Sequence, residues 1–144
     1  MFIFSGAVLI IIDQIIKYLV HNNIVLGQPY TLIEDFLYIT YVRNTGIAFG
    51  LFKDNNIIMI ILISIIILIL LYFYKKEDNK VFTLSLAVTL LISGAIGNLI
   101  DRIYYGFIID YINFTFWPAF NLADSLVVIG SVLLGFYLLF LVEE

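Results

Sequence analysis

Twenty consecutive residues without a charge, Val81 to Ile100, follow a second such run of eighteen, Ile57 to Tyr74, with only the Lys-rich segment Lys75 to Lys80 between them. At 1.5 Å per helical residue, about 20 residues cross a hydrocarbon core of ~30 Å. Inside that core no water can satisfy a backbone N–H or C=O, so an isolated apolar run of this length has to be a helix. Two more runs reach a similar length if isolated charged residues are tolerated. Phe2 to Ile12 resumes after Asp13-Gln14 and continues to Val20, and a last run extends from Asn121 or Ala123 to Val142. The chain is expected to fold as a membrane α-helical protein with four transmembrane helices, over about 2–20, 57–74, 81–102 and 122–142. With 144 residues, no internal repeat and no flexible linker, 1–144 is expected to be a single membrane-embedded domain. The first run has no basic segment ahead of it, and Tyr18-Leu19-Val20-His21 lacks the small residues of a signal-peptide cleavage site, so it reads as a retained anchor.

Between the first two spans the pattern changes. Gly27, Pro29 and Gly46 punctuate runs such as Phe36 to Val42, rich in β-branched and aromatic residues. These read as short strands of a small sheet outside the hydrocarbon, where an open edge can be hydrated. Arg43 to Gly50 reads as a polar, glycine-flanked turn. Three lysines in the loop between the second and third spans place that loop in the cytoplasm, which puts both termini inside and the strands and the 105–120 loop outside.

Composition excludes several functions. A chain 63% hydrophobic with a mean hydropathy of +1.11 cannot hide its apolar side chains as a soluble domain. Seven scattered basic residues form no nucleic-acid-binding stripe. With no Cys and one His, thiolate chemistry and Cys- or His-rich metal sites are out of reach, and no metal or cofactor is expected.

Only 12% of the residues are charged, yet Asp101, Arg102, Asp110 and Asp124 fall within one stretch between two apolar runs. An ionisable residue near mid-membrane costs roughly 2.5 to 3.5 kcal/mol, so such a cluster is a functional-site candidate. Asn98 and Asp101 are three residues apart, as are Asn121 and Asp124, so each pair shares a helix face. Asp13 and Lys17, four apart, can pair; Lys17 could instead snorkel to an interface. Asp13 lies roughly 16 Å from the inner end of its helix, past the midplane, so every costly side chain converges on the outer face. Ser93, Gly94, Ala95 and Gly97 allow close helix packing. Asp101 and Arg102 read as structural pairs or headgroup ligands, and a lone Asp124 would read as a helix cap. Two carboxylates that converge, Asp110 and Asp124, change that reading. They would share one proton, one acting as base on a water while the other polarises a carbonyl, which hydrolyses an amide without a metal or a nucleophilic side chain. Ser93, Ser125 and Ser131 have no His nearby, and a Ser–Lys pair would need Lys17. A proton-coupled transporter using Asp13, Lys17, Asp101 and Arg102 as a relay needs polar residues at several depths, but Ser64 is the only one from Ile57 to Leu71. A non-catalytic scaffold gives no reason for two converging Asn and Asp pairs.

The segments Asp13 to Lys17, Asn44 to Phe49, Gly94 to Arg102, Ile109 to Tyr111 and Phe120 to Asp124, in this order, resemble the motif blocks of the lipoprotein signal peptidase (signal peptidase II) family. The resemblance implies a bacterial inner-membrane aspartyl endopeptidase of four helices with a small extracytoplasmic sheet and loop. It would remove signal peptides from diacylglyceryl-modified prolipoproteins, cutting just before the lipidated cysteine. Asp110 and Asp124 correspond to the family's catalytic pair. Asn44, Gly46, Asn98, Asp101, Arg102 and Asn121 fall among site-shaping positions, and Asp13 and Lys17 at a supporting pair. Ser93 stands where Gly is usual and Ile109 where Val is common. The partners implied are the prolipoprotein substrate and membrane lipid, with no nucleic acid and a monomeric state. Tyr104, Tyr105, Phe107, Phe114, Phe116 and Trp117 would form a headgroup-level belt that could also cover the bound peptide.

Overall fold

A computed structural model describes residues 2–46, 55–78 and 81–141. Four of its helices are long and apolar enough to cross a membrane: α1 (Phe2–Asn23), α2 (Asn56–Lys76), α3 (Phe82–Tyr104) and α4 (Leu122–Phe140). Three strands, β1 (Tyr30–Ile33), β2 (Leu37–Asn44) and β3 (Ile108–Phe114), form an antiparallel sheet in the order β1-β2-β3. The expected end of the last span at Val142 lies outside the described residues, as do Ile47, Ala48 and Phe49 of the turn motif.

The bundle is organised around α3, against which α1, α2 and α4 each pack. Half of its spanning window is buried, against 6% for α2. Small side chains make this possible. A Cβ on Gly97 would stand 2.7 Å from Asp13 Oδ2, and one on Gly94 would overlap the carbonyl oxygen of Ala123. Ser93 does not hold α1 and α3 apart: it is buried, and its hydroxyl donates to Thr89 O at 2.7 Å and across to Gly6 O at 3.3 Å. Helix α2 is apolar on every side and buries only Met59, the pattern of a helix that faces lipid. Its one mid-helix hydroxyl, on Ser64, turns back to Ile60 O.

At one end of the bundle Leu84, Val88 and Tyr137 close a purely apolar cluster between α3 and α4. At the other, Val20, Tyr41, Ile109 and Tyr111 join α1 to the sheet. The segment expected as a loop over 105–120 contains the seven residues of β3, whose odd residues Ile109 and Tyr111 enter that second cluster while Asp110 points to the opposite face. A bulge in β2 decides what meets Asp110 there. Ile39 pairs with Ile112 but Val42, not Tyr41, pairs with Asp110, and Asn44 pairs with Ile108. The extra residue shifts the phase of the strand by one, which moves Asn44 onto the Asp110 face; an unbulged strand would present Arg43.

Candidate active site

Helix periodicity places Lys17 one turn above Asp13, and its ammonium uses all three donors at short range. It lies 2.8 Å from Asp13 Oδ2, 2.9 Å from Asp101 Oδ2 and 3.0 Å from Asn98 Oδ1. All four groups are buried, so Lys17 does not snorkel. The two carboxylates reach further. Asp13 Oδ1 accepts from Ala123 N in the first turn of α4 at 3.0 Å, and Asp101 Oδ2 accepts from Ile109 N in β3 at 3.1 Å. Gln14 completes the group by donating to Asp101 Oδ1 at 3.0 Å and to Gly97 O at 3.1 Å. One ionic cluster therefore fastens α1, α3, α4 and β3 together. Buried charge is tolerated only when paired and fully hydrogen-bonded. The residue kept for this is Gln14, an amide in an apolar run that spacing did not single out.

Asp101 and Arg102 do not pair with each other. Both are buried, which removes headgroup binding as their role. Arg102 turns the other way, with Nη2 donating to Gly46 O at 2.8 Å and Nη1 3.4 Å from Asn56 Oδ1. Asn56 in turn donates to Arg102 O at 2.7 Å, so this polar residue at the start of α2, which the sequence did not mark, secures the Arg102 turn. Arg102 Nε is buried and has no hydrogen-bond partner among the described residues.

Above the ionic cluster sit Asp110 and Asp124, fourteen positions apart in sequence and surrounded by three carboxamides. Each carboxamide is oriented by a partner that can only donate. Asn44 Oδ1 accepts from Gly46 N at 3.1 Å, so its Nδ2 faces Asp110 Oδ2 at 2.9 Å. Asn121 Oδ1 accepts from Asp124 N at 2.8 Å, so its Nδ2 faces Asp110 Oδ1 at 2.7 Å. Asn98 Oδ1 accepts from Lys17, so its Nδ2 faces Asp124 Oδ1 at 2.7 Å. The fourth carboxylate oxygen, Asp124 Oδ2, accepts from Asn121 N at 3.2 Å and closes a capping box at the start of α4. Asp124 is thus both a cap and a member of the pair, which joins the two roles considered for it. Ser125 and Ser131 donate to backbone carbonyls of their own helix.

Asp110 is 1% exposed and Asp124 half-buried. Burial raises the Asp110 carboxyl to about 7, the charge of Asp124 adds to the rise, and the amides of Asn44 and Asn121 and the Lys17 charge oppose it. Asp110 therefore changes its protonation state around neutral pH. For a raised carboxyl the native state keeps a proton that the unfolded chain has released, so its contribution to stability is full below about 4 and lost as pH rises through about 7. If the proton on Asp110 is needed for activity, kcat/KM should fall on the alkaline side with a midpoint near 7. A pH–rate profile that stays flat to pH 9 would remove that role.

The match to the family model described as signal peptidase (SPase) II covers residues 6–140. The chain belongs to this family. It is 42% identical over 131 residues to the lipoprotein signal peptidase of Halothermothrix orenii, an alignment that covers 91% of this chain and 90% of the relative. Identity to the lipoprotein signal peptidase of Clostridioides difficile (strain 630) is 40% over 134 residues, covering 92% and 90%. A bacterial membrane enzyme solved by the in meso method at 1.9 Å resolution superposes with a TM-score of 0.88 at 34% identity, over 96% of this chain and 92% of that one. A second such structure, at 2.3 Å, gives a TM-score of 0.90 over 96% and 87%. Within this signal peptidase II chain, the structure brings all ten sequence-identified site residues to one end of the bundle. Asp110, Asp124, Asn44, Asn98 and Asn121 form the acidic pair and its amides. Asp13, Lys17 and Asp101 form the ionic cluster, and Arg102 and Gly46 a separate clasp.

Proposed function

We propose that this signal peptidase II chain removes the signal peptide from diacylglyceryl-modified bacterial prolipoproteins by an aspartyl mechanism, cutting immediately before the lipidated cysteine. The observation that carries the mechanism is the acidic pair, four carboxylate oxygens each accepting one fixed N–H, with the Asp110 carboxyl raised to about 7. Asp110, the deeper of the two, is the seat of the pair's proton. Ionised Asp124 takes a proton from water as the water oxygen attacks the peptide carbonyl, while Asp110 donates to the carbonyl oxygen and its C=O π bond opens. As the gem-diol collapses, Asp110 takes back a proton from a diol hydroxyl so that the C=O re-forms, and Asp124 passes its proton to the leaving nitrogen as the C–N bond breaks. This returns Asp110 protonated and Asp124 ionised, and a fresh water replaces the one consumed. The other side chains act by orientation, which is worth several orders of magnitude in rate when the reacting groups are pre-aligned.

The substrate is a membrane-spanning signal helix with a lipid at its cleavage point, so its scissile bond would arrive at the outer membrane face. The pair lies there in the topology with both termini cytoplasmic. Exposed Tyr104, Phe116 and Trp117 beside the sheet suit a headgroup-level belt. The protein acts as a monomer on this reading.

The test is to incubate the purified protein in detergent with a prolipoprotein before and after diacylglyceryl transfer, and to locate the new amino terminus by mass spectrometry. The lipidated form is expected to be cut before its modified cysteine, the unlipidated form at least about 100-fold more slowly, and a chelator to leave the rate unchanged. Equal cutting of both forms would sink the substrate assignment, and inhibition by the chelator the metal-free chemistry.

A further inference from the structure

We infer that Lys17 is a positioning residue for the acidic pair: acting through Asn98, it fixes the amide that faces Asp124, and its charge sets the pH window in which the pair holds a single proton. The inference rests on the catalytic reading of that pair.

Asn98 is the one side chain that touches both the ionic cluster and the pair. Its oxygen accepts from Lys17 Nζ at 3.0 Å and from Asn121 Nδ2 at 3.2 Å, and its Nδ2 donates to Asp124 Oδ1 at 2.7 Å. An amide can be rotated by half a turn at little steric expense, and the reversed form would set its oxygen against the carboxylate. An ammonium has no acceptor, so the reversed form would also face Nδ2 to Nζ. Lys17 forbids it.

Charge gives the second half of the argument. The groups bearing on the pair are Asp13, Lys17 and, a turn further on, His21 from α1; Tyr41 from β2; Asp101 and Arg102 from α3; and Tyr111 from β3. His21 is turned away to Tyr41 OH at 2.8 Å, and Tyr111 OH accepts from Leu122 N. Arg102 donates to Gly46 O and hydrogen-bonds to neither carboxylate, although its charge also bears on Asp110 and Asp124. Lys17 is thus the cation joined to the pair through a single side chain, and among the influences on Asp110 its charge favours the ionised form. Loss of that charge has to move the pair's titrations upward, because the anion loses a stabilising neighbour within a medium that screens little.

Two variants separate the two effects. Lys17→Gln keeps an N–H for Asn98 and drops the charge; Lys17→Arg keeps the charge and drops the tetrahedral geometry. In the full chain cleaving a lipidated precursor, both limbs of the pH–rate profile should rise by about one pH unit in the Lys17→Gln variant, with KM within about twofold. The Lys17→Arg variant should lose turnover by roughly 10- to 100-fold with its limbs within about 0.3 pH units of wild type. Limbs in Lys17→Gln that coincide with wild type, whatever the rate, would overturn the inference, because a merely structural role changes the amount of active protein and not its titration. Should that variant fail to fold, Asp13→Asn/Lys17→Gln removes one charge of each sign and takes its place; because Lys17 bears on both carboxylates more strongly than Asp13 does, a smaller upward shift is expected, and coincident limbs are again fatal. An Asp110→Asn control separates this from the catalytic reading: cleavage that survives the control indicts the pair itself, and cleavage lost there with unmoved limbs in Lys17→Gln indicts Lys17 alone.

Discussion

The Asp110→Asn and Asp124→Asn variants are each expected to turn over a lipidated precursor roughly 10,000-fold more slowly than wild type, the scale of losing an acid–base group. Each carboxylate has both oxygens facing N–H donors, from Asn44 and Asn121 on Asp110, and from Asn98 and the Asn121 backbone on Asp124. An amide can accept at one of these places only, so each substitution leaves one donor facing another and costs about 1 to 3 kcal/mol. Against this, the Asp110→Asn variant no longer has to bury an ionisable group held near 7. Both variants are therefore expected to be folded, with thermal unfolding in detergent lowered by several degrees at most and unfolding of the Asp110→Asn variant less sensitive to pH between about 4 and 7. Single-turnover cleavage and thermal melts on the same preparations check both statements. More than about a tenth of wild-type activity in either variant would remove that residue from the chemistry.

Gly94→Ala carries the largest structural penalty. The added methyl would overlap the carbonyl oxygen of Ala123 and stand 2.8 Å from Val127 Cγ2, with the α4 backbone on the far side rather than a side chain free to swing away. Helix α4 has to move outward, and overpacking of this kind costs about 1 to 3 kcal/mol. The displaced turn is the one that carries Asn121 and Asp124, so activity is expected to fall by about 100-fold even in protein that remains folded, since a shift near 1 Å at reacting groups has that effect. Ser93→Gly, one position earlier, introduces a smaller residue and leaves a buried hydroxyl out. It removes only the weak bond to Gly6 O and the bond back to Thr89 O, and activity is expected to stay within about threefold. Comparable activities for the two variants would mean that the α3–α4 approach does not position the pair.

Much of this was legible in the residues. The four spans follow from long apolar runs, two of them free of charge and two carrying isolated polar residues, and the i, i+3 and i, i+4 spacings identified which polar side chains share a face. Local patterns did not extend to partners. Adjacent in sequence, Asp101 and Arg102 point apart, one to Lys17 and the other to Gly46, because successive helical positions are about 100° apart. Strand β3 carries aromatics and an Asp just past a helix end, which reads equally well as an interfacial loop. Only pairing with β2 makes it a strand, and that is a long-range fact. Likewise the bulge that brings Asn44 to Asp110 depends on a register between strands some seventy residues apart and has no local signature. Gln14 and Asn56 look like ordinary tolerated polar residues until the groups they satisfy are brought to them.

The donor-only shell around Asp110 and Asp124 also bears on proton traffic. On the protein side each carboxylate oxygen meets an N–H, and none of these amides offers a lone pair in that direction to receive a hydrogen ion. Among the described residues, these contacts give a proton on the pair no acceptor to pass to on the protein side. Four acidic side chains, Asp13, Asp101, Asp110 and Asp124, lie among helices apolar enough to cross a membrane, and the amides around the last two insulate their acid–base chemistry from the rest of the bundle.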